Sequence, residues 1–257
     1  MGRLFRRIKG GWVLFWGIVA SLTLGTLAML FGILDRSGRI TFRICQAWCW
    51  VALTIGFVRL KVRGREKIKK GQSYVIVSNH QSLYDIPVLM NGLNIQFRWV
   101  IKKEILKIPF FGWGLYLGRH VFIDRSNTKK SIKSMRQAMR RLPSGVSVYI
   151  FAEGTRTPDG QVQEFKKGGF LMALSGKTPV LPVTINGSWK FMPDRSTMSF
   201  TPGPIEVVVG DPIDTSDYKT KNLDELVEKT RNAVIANLNL DYPEKRANAP
   251  DRQSSPR

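Results

Sequence analysis

His80 and Asp85 stand five positions apart in the run Asn79-His80-Gln81-Ser82-Leu83-Tyr84-Asp85. The run follows the apolar stretch Tyr74–Ser78, which predicts His80 at the carboxyl end of a strand and Asp85 one helical turn beyond it. Across such a turn a carboxylate can reach one imidazole nitrogen. It would fix the tautomer and stabilise the imidazolium, leaving the other nitrogen as a general base. Ser78 and Ser82 flank the histidine, so a serine nucleophile is also open. The plainer alternative is a histidine that caps the helix after the strand.

A second group closes another strand, Val146–Phe151, and reads Phe151-Ala152-Glu153-Gly154-Thr155-Arg156. Gly154 permits close approach of the backbone to a ligand. The planar fork of Arg156 suits a phosphate, and Glu153 can hold that fork or a ligand hydroxyl. Taken alone, the group could be a turn with a surface ion pair. Further on, Phe165-Lys166-Lys167-Gly168-Gly169 adds cations at an expected helix start, an anion-friendly place. Lys102-Lys103-Glu104 follows the expected strand Phe97–Ile101, and Phe122-Ile123-Asp124-Arg125 closes another. In Val180-Leu181-Pro182-Val183 the proline cannot donate to a ladder, which predicts a sheet edge or an opening.

These groups need a scaffold that gathers strand ends. Strands are expected at Phe57–Val62, Tyr74–Ser78, Phe97–Ile101, His120–Ile123, Val146–Phe151, Val180–Ile185 and Ile205–Val209. Helices are expected near Ser82–Leu89, Lys129–Leu142, Lys167–Leu174 and Leu223–Asn237. The alternation predicts an α/β fold, a central sheet flanked by helices, with active residues at the carboxyl ends of strands. On the Lys129–Leu142 helix, Lys129, Lys133, Arg136 and Arg140 share one face beside the apolar stripe Ile132, Met135, Met139 and Leu142. That face is either solvated or turned towards anionic lipid.

In this order, Asn79-His80 with Asp85, Phe122-Ile123-Asp124-Arg125, Glu153-Gly154-Thr155-Arg156 and Val180-Leu181-Pro182-Val183 resemble the four blocks of the 1-acylglycerol-3-phosphate (lysophosphatidate) acyltransferases. The resemblance covers about residues 58–215. The family more often has Pro where Ala152 stands, which leaves the charged residues untouched. The resemblance implies His80 as general base on the hydroxyl of a lysophosphatidate, with Asp85 orienting it. It implies Glu153, Gly154, Thr155 and Arg156 at the glycerol phosphate, helped by Arg125 and by Lys102 or Lys103. Pro182 and Val183 would fall on the acyl pocket. The acyl donor, acyl-CoA or acyl-carrier protein, would be a cosubstrate, with no metal or bound cofactor. The resemblance leaves other acceptors open: glycerol-3-phosphate, another lysophospholipid or a lyso-aminolipid.

Composition narrows the rest. The chain has 257 residues, 40 Lys+Arg against 19 Asp+Glu, and a formal charge of +21. A hydrophobic fraction of 43% and seven Trp exclude a disordered polycation. Two cysteines, Cys45 and Cys49, exclude a disulfide scaffold and offer no zinc-ligand spacing. The charge points to an acidic partner: nucleic acid, an anionic bilayer or a phosphorylated molecule. A non-catalytic basic protein on a membrane surface or on nucleic acid would explain the charge. It would leave the His80–Asp85 spacing unexplained, and no nucleic-acid motif is evident.

Trp12 to Leu34 carries no charged side chain, and as a helix it would measure about 35 Å, enough for a hydrocarbon core. Arg3, Arg6, Arg7 and Lys9 precede it, and no cleavage site of a signal peptide is evident. Arg6 stands where an N-myristoylation signal has Ser or Thr. A second apolar run, Ile44–Phe57, is short for a span, and Arg36, Arg39 and Arg43 lie between the two. Full crossing would put those arginines on the wrong side. The expectation is a two-helix hairpin over 1–57 dipping into one leaflet, with a single span as competitor and two buried helices of a soluble protein as the third reading. The catalytic domain is expected over 58–240 and a loose tail over 241–257. The expected location is a membrane, with a bacterial inner membrane and a cytoplasmic catalytic domain as the finer expectation.

Overall fold

The computed structural model of the chain describes residues 2–108, 111–124, 134–135, 137, 141–191 and 201–243, with the backbone alone for 2–10 and 111. Among them seven strands form one sheet: β1 (Arg59–Arg63), β2 (Val75–Ser78), β3 (Phe97–Lys102), β4 (Val121–Ile123), β5 (Ser147–Phe151), β6 (Val180–Asn186) and β7 (Pro204–Val209). Their order is β1-β7-β6-β2-β5-β3-β4. Strands β2 to β6 run parallel, while β1 and β7 run the other way, β7 antiparallel to β6. Five carboxyl ends therefore lie along one sheet edge, the ends that carry the groups expected to do chemistry.

Both faces of the sheet are covered, as near-continuous apolar strands require. Ile76, Leu181, Val183 and Val207 pack on one side against helices α2 (Arg39–Ile55) and α3 (Asp85–Gly92). Val75, Val77, Val148 and Val180 pack on the other against α5 (Gly168–Gly176) and α6 (Leu223–Ile235). A short helix, α4 (Phe111–Leu117), lies between β3 and β4; its two glycines hide the apolar period from a sequence reading.

The N-terminal residues form the expected hairpin. Helix α1 (Gly2–Leu34) turns through Asp35–Gly38 into α2. Asp35 organises the turn: its carboxylate accepts the Ser37 amide (3.0 Å), the Ser37 hydroxyl (2.6 Å) and the Ile40 amide (2.6 Å) at the start of α2. Burial alone would raise this carboxyl, but those hydrogen bonds outweigh it and hold it below the ordinary carboxylate value. The fully buried Arg98 guanidinium grips the same turn, donating to the Ser37 carbonyl at 2.9 Å. Burial pushes its pKa down to about 10.

Phe42, Cys49 and Leu53 of α2 are buried in the core that covers the sheet, so the hairpin and the 58–240 domain share one core. Helix α1 folds back over the outside of α2: the Trp48 indole N–H donates to Ser21 Oγ at 3.1 Å, and Val13 touches the common core. The stretch Gly11–Leu34 is the one helix among the described residues long and apolar enough to cross a membrane, and little of it is buried.

Two expectations need correction. Pro182 does not mark a sheet edge: β6 lies inside the sheet between β7 and β2. Its carbonyl accepts the Gly210 amide at 2.8 Å, just past the end of β7, so the missing donor falls where the β6–β7 ladder stops. The helix expected from Ser82 begins only at Asp85, because the preceding amides are bonded to the Asp85 side chain. The proposed basic stripe on 129–142 lies mostly outside the described residues, though Met135 is described and buried, and Arg125 and residues 244–257 lie outside them altogether.

Asp35→Ala removes three acceptor contacts from the start of α2. It is expected to cost about 1 kcal/mol, read as a lower Tm. Because the folded carboxyl is held below its unfolded value, this stabilisation is present above about pH 4 and lost as pH falls further. The gap between variant and parent should therefore close in acid.

Candidate active site

Strand β2 ends where Asn79 leaves the ladder. The Asn79 amide bonds both ways to Ile185 on β6, donating at 2.9 Å and accepting at 2.8 Å. It takes the place of a further backbone rung and fixes the point at which the chain turns. His80 follows immediately. Its Nδ1–H donates to Asp85 Oδ2 at 2.7 Å. The same oxygen accepts the amides of Gln81 (2.6 Å) and Ser82 (2.9 Å). Asp85 is fully buried at the first position of α3, where the helix dipole favours a negative charge. One carboxylate oxygen thus shapes the turn and sets the imidazole tautomer. The Phe151 ring stacks on the imidazole with centroids 3.7 Å apart and planes 13° from parallel, which fixes the ring plane. Nε2 has no hydrogen-bond partner among the described residues and is the nitrogen available to a substrate.

The flanking serines are occupied elsewhere. Ser78 is fully buried, donates to the Asn79 carbonyl and accepts the Tyr149 hydroxyl at 2.6 Å. Ser82 Oγ accepts the Tyr84 amide. Neither bonds to the imidazole, which removes the flanking-serine alternative.

The second group arrives because β5 is the parallel neighbour of β2, with Phe151 in register with Ser78. Glu153 is almost wholly buried, and both its oxygens are spent on backbone: Oε1 accepts the His80 amide at 2.7 Å and Oε2 the Gln163 amide at 3.0 Å. Glu153 thus clamps the backbone of two loops. Thr157 closes the other side of His80, donating its amide to the His80 carbonyl at 2.9 Å. Both backbone groups of the histidine are held by the Glu153–Thr157 loop. Burial pushes the Glu153 carboxyl up to about 7, against the lowering effect of the Gln163 and His80 amides.

Gly154 has φ 75°, and a side chain there would meet the Lys166 ammonium at 2.8 Å. Thr155 is exposed beside it and Arg156 is half-buried. Lys102 and Lys103 sit at the end of β3, beyond β5 on the same edge, and both face acids: Lys102 lies 3.8 Å from Glu104 and Lys103 2.6 Å from Asp124. Pro182 and Val183 are buried in the sheet rather than lining an open cleft, and Val183 belongs to the core with α2 and α3. Positioning residues escaped the sequence reading. Gln81 donates to the Gly160 carbonyl and accepts from Ser188, while Arg231 of α6 holds the carbonyls of Val162 and Gln163. These contacts join segments far apart in the chain, and no local spacing announces them.

Over 192 residues the chain is 36% identical to the 1-acyl-sn-glycerol-3-phosphate acyltransferase of Pseudomonas aeruginosa, an alignment covering 72% of this chain and 73% of that protein. This chain belongs to the 1-acyl-sn-glycerol-3-phosphate acyltransferase family. The Acyltransferase family model matches residues 59–186, which hold all four motif blocks. A Chlamydomonas reinhardtii protein of the same name is 30% identical over 240 residues, covering 91% of this chain and 71% of that one. The solved 1-acyl-sn-glycerophosphate acyltransferase of Thermotoga maritima superposes with a TM-score of 0.73 at 26% identity, over 92% of this chain and 98% of that one. The expected α/β architecture and the family resemblance both hold.

Glu153→Gln tests the clamp. An amide accepts through one oxygen only and would set its N–H₂ against the His80 or the Gln163 amide, leaving a buried donor unpaired. Turnover is expected to fall about tenfold or more while the chain stays folded. The carboxyl's native value of about 7 lies above its ordinary 4.5, so its contribution to stability is full below pH 4.5 and fades as pH rises through about 7. Denaturant midpoints across that window should show the slope in the parent and lose it in the variant.

Proposed function

We propose that this family member is a membrane-bound acyltransferase that moves an acyl group from a thioester to the sn-2 hydroxyl of lysophosphatidate, giving phosphatidate. The observation that carries the reading is the buried Asp85 holding Nδ1 of His80 at the strand edge that also carries the Glu153–Arg156 loop. His80 Nε2 takes the proton of the acceptor hydroxyl as its oxygen attacks the thioester carbonyl. The tetrahedral intermediate collapses with release of thiolate, which receives the proton from the imidazolium. Asp85 stabilises that imidazolium. Arg156, with the Gly154 and Thr155 backbone beside it, holds the phosphate of the acceptor. Lys102 and Lys103, already facing acids, add positive field along the edge. The acyl donor, acyl-CoA or acyl-carrier protein, is a cosubstrate, and the chemistry calls on no metal or prosthetic group because His80 supplies the base.

The hairpin seats the domain on the bilayer. The packing of α2 into the core and of α1 back along it supports a seating of α1 within one leaflet. That arrangement keeps the arginines at both ends of α1 on one side, as the positive-inside tendency requires. The proposed location is the cytoplasmic face of a bacterial inner membrane, where the lipid acceptor enters sideways from the leaflet.

Purified protein assayed with a panel of lysolipid acceptors and both donor types should transfer acyl groups to lysophosphatidate. No transfer to it, with transfer to a phosphate-free acceptor, would overturn the assignment. His80→Ala is expected to lower kcat by about 10²–10⁴ with fold and membrane association intact; unchanged turnover removes His80 from the mechanism. Arg156→Ala should chiefly raise KM for the phosphate-bearing acceptor, and an unchanged KM would place the phosphate elsewhere.

A further inference from the structure

Two adjacent lysines at the start of α5 are used in different ways. The Lys167 ammonium pairs with Asp224 at the start of α6, and so ties two helices together. The Lys166 ammonium has no hydrogen bond or ion pair among the described residues. Its side chain is exposed, but its backbone is held. The Lys166 amide donates to the Ala152 carbonyl at 2.9 Å, and the neighbouring Phe165 is buried in the core. From there the side chain runs back over Gly154. A methyl group at Gly154 would lie 2.8 Å from Lys166 Nζ, 3.0 Å from Cε and 3.1 Å from Cδ.

Two acids of the neighbouring site loops are engaged elsewhere. Both oxygens of Glu153, the residue before Gly154, are taken by the amides of His80 and Gln163. Asp85 is fully buried and bonded to His80, Gln81 and Ser82. Lys103, by contrast, holds Asp124, and Lys102 faces Glu104. Lys166 is therefore a cation set over the loop that grips His80, with no acid bonded to it among the described residues and its charge left for an anion.

We propose that Lys166 binds the phosphate of the acceptor from above Gly154. The assignment rests on the phosphate-acceptor reading of the same site. It gives Gly154 a second duty besides its left-handed backbone: the absent side chain leaves the room the lysine tail fills. A phosphate also occurs in the CoA donor, and the two sources are separable by kinetics. Lys166→Ala should raise KM for lysophosphatidate about 10- to 100-fold, the loss for removing a charge-assisted hydrogen bond, with KM for acyl-CoA unchanged. Lys166→Arg should recover most of the affinity. Lys167→Ala, which breaks the Asp224 pair, should leave both KM values near the parent's. Glycerol-3-phosphate, followed by its thermal shift on the full-length protein in detergent, should stabilise the parent and not Lys166→Ala. That arm reads phosphate binding without turnover, so it stands even if lysophosphatidate proves not to be the acceptor. An acceptor KM unchanged in Lys166→Ala, a rise confined to acyl-CoA, or an equal thermal shift in the folded variant would overturn the proposal.

Discussion

One carboxylate oxygen holds the site together. Asp85 Oδ2 accepts from His80 Nδ1 and from the amides of Gln81 and Ser82, all between 2.6 and 2.9 Å. Without it the turn into α3 loses the acceptor for two of its amides, and the imidazole loses the partner that fixes its tautomer. A buried charge is costly unless hydrogen-bonded, so these contacts are coupled: the donors make the charge tolerable, and the charge holds the donors in place. Side-chain orientation and backbone shape come from a single group.

The second constraint is topological. Because β2 and β5 are parallel neighbours, their exit loops meet, and the Glu153–Thr157 loop can hold both the amide and the carbonyl of His80. The sheet brings the loops to one edge; the buried Glu153 and the left-handed Gly154 make them interlock. The same economy appears at the N-terminal hairpin, where Arg98 reaches from β3 to the turn that Asp35 organises. Buried charged groups at both places join segments that the sequence separates widely. The charge of +21 is thereby divided among tasks: some cations brace the fold, some face acids along the site edge, and some flank the apolar helix.

Much of this was legible in the residue pattern. Every described strand falls within two residues of its expected bounds, because parallel strands buried on both faces show as short apolar runs between turn signals. The apolar hairpin and the juxtaposition of His80 with Asp85 were equally visible. What was not legible depended on partners far away in the chain. Pro182 suggested an edge because its missing donor is a local fact, whereas the end of β7 that makes it harmless is not. The burial of Glu153 and its grip on two backbone amides cannot be seen in a four-residue motif. Gln81 gave no signal at all, since its side chain works through Gly160 and Ser188.

The chain has only two histidines, so ring-nitrogen spectra read the hydrogen bond between His80 and Asp85 directly. His120 Nδ1 accepts the Trp99 amide, so its ring carries the proton on Nε2. His80, donating from Nδ1 to Asp85, should show the opposite tautomer. Long-range proton–nitrogen correlation on histidine-labelled protein in mildly alkaline buffer separates the two. One ring should be protonated at Nδ1, and that preference should be lost in Asp85→Asn. Two rings protonated at Nε2, or a His80 pattern indifferent to Asp85, would contradict that bond.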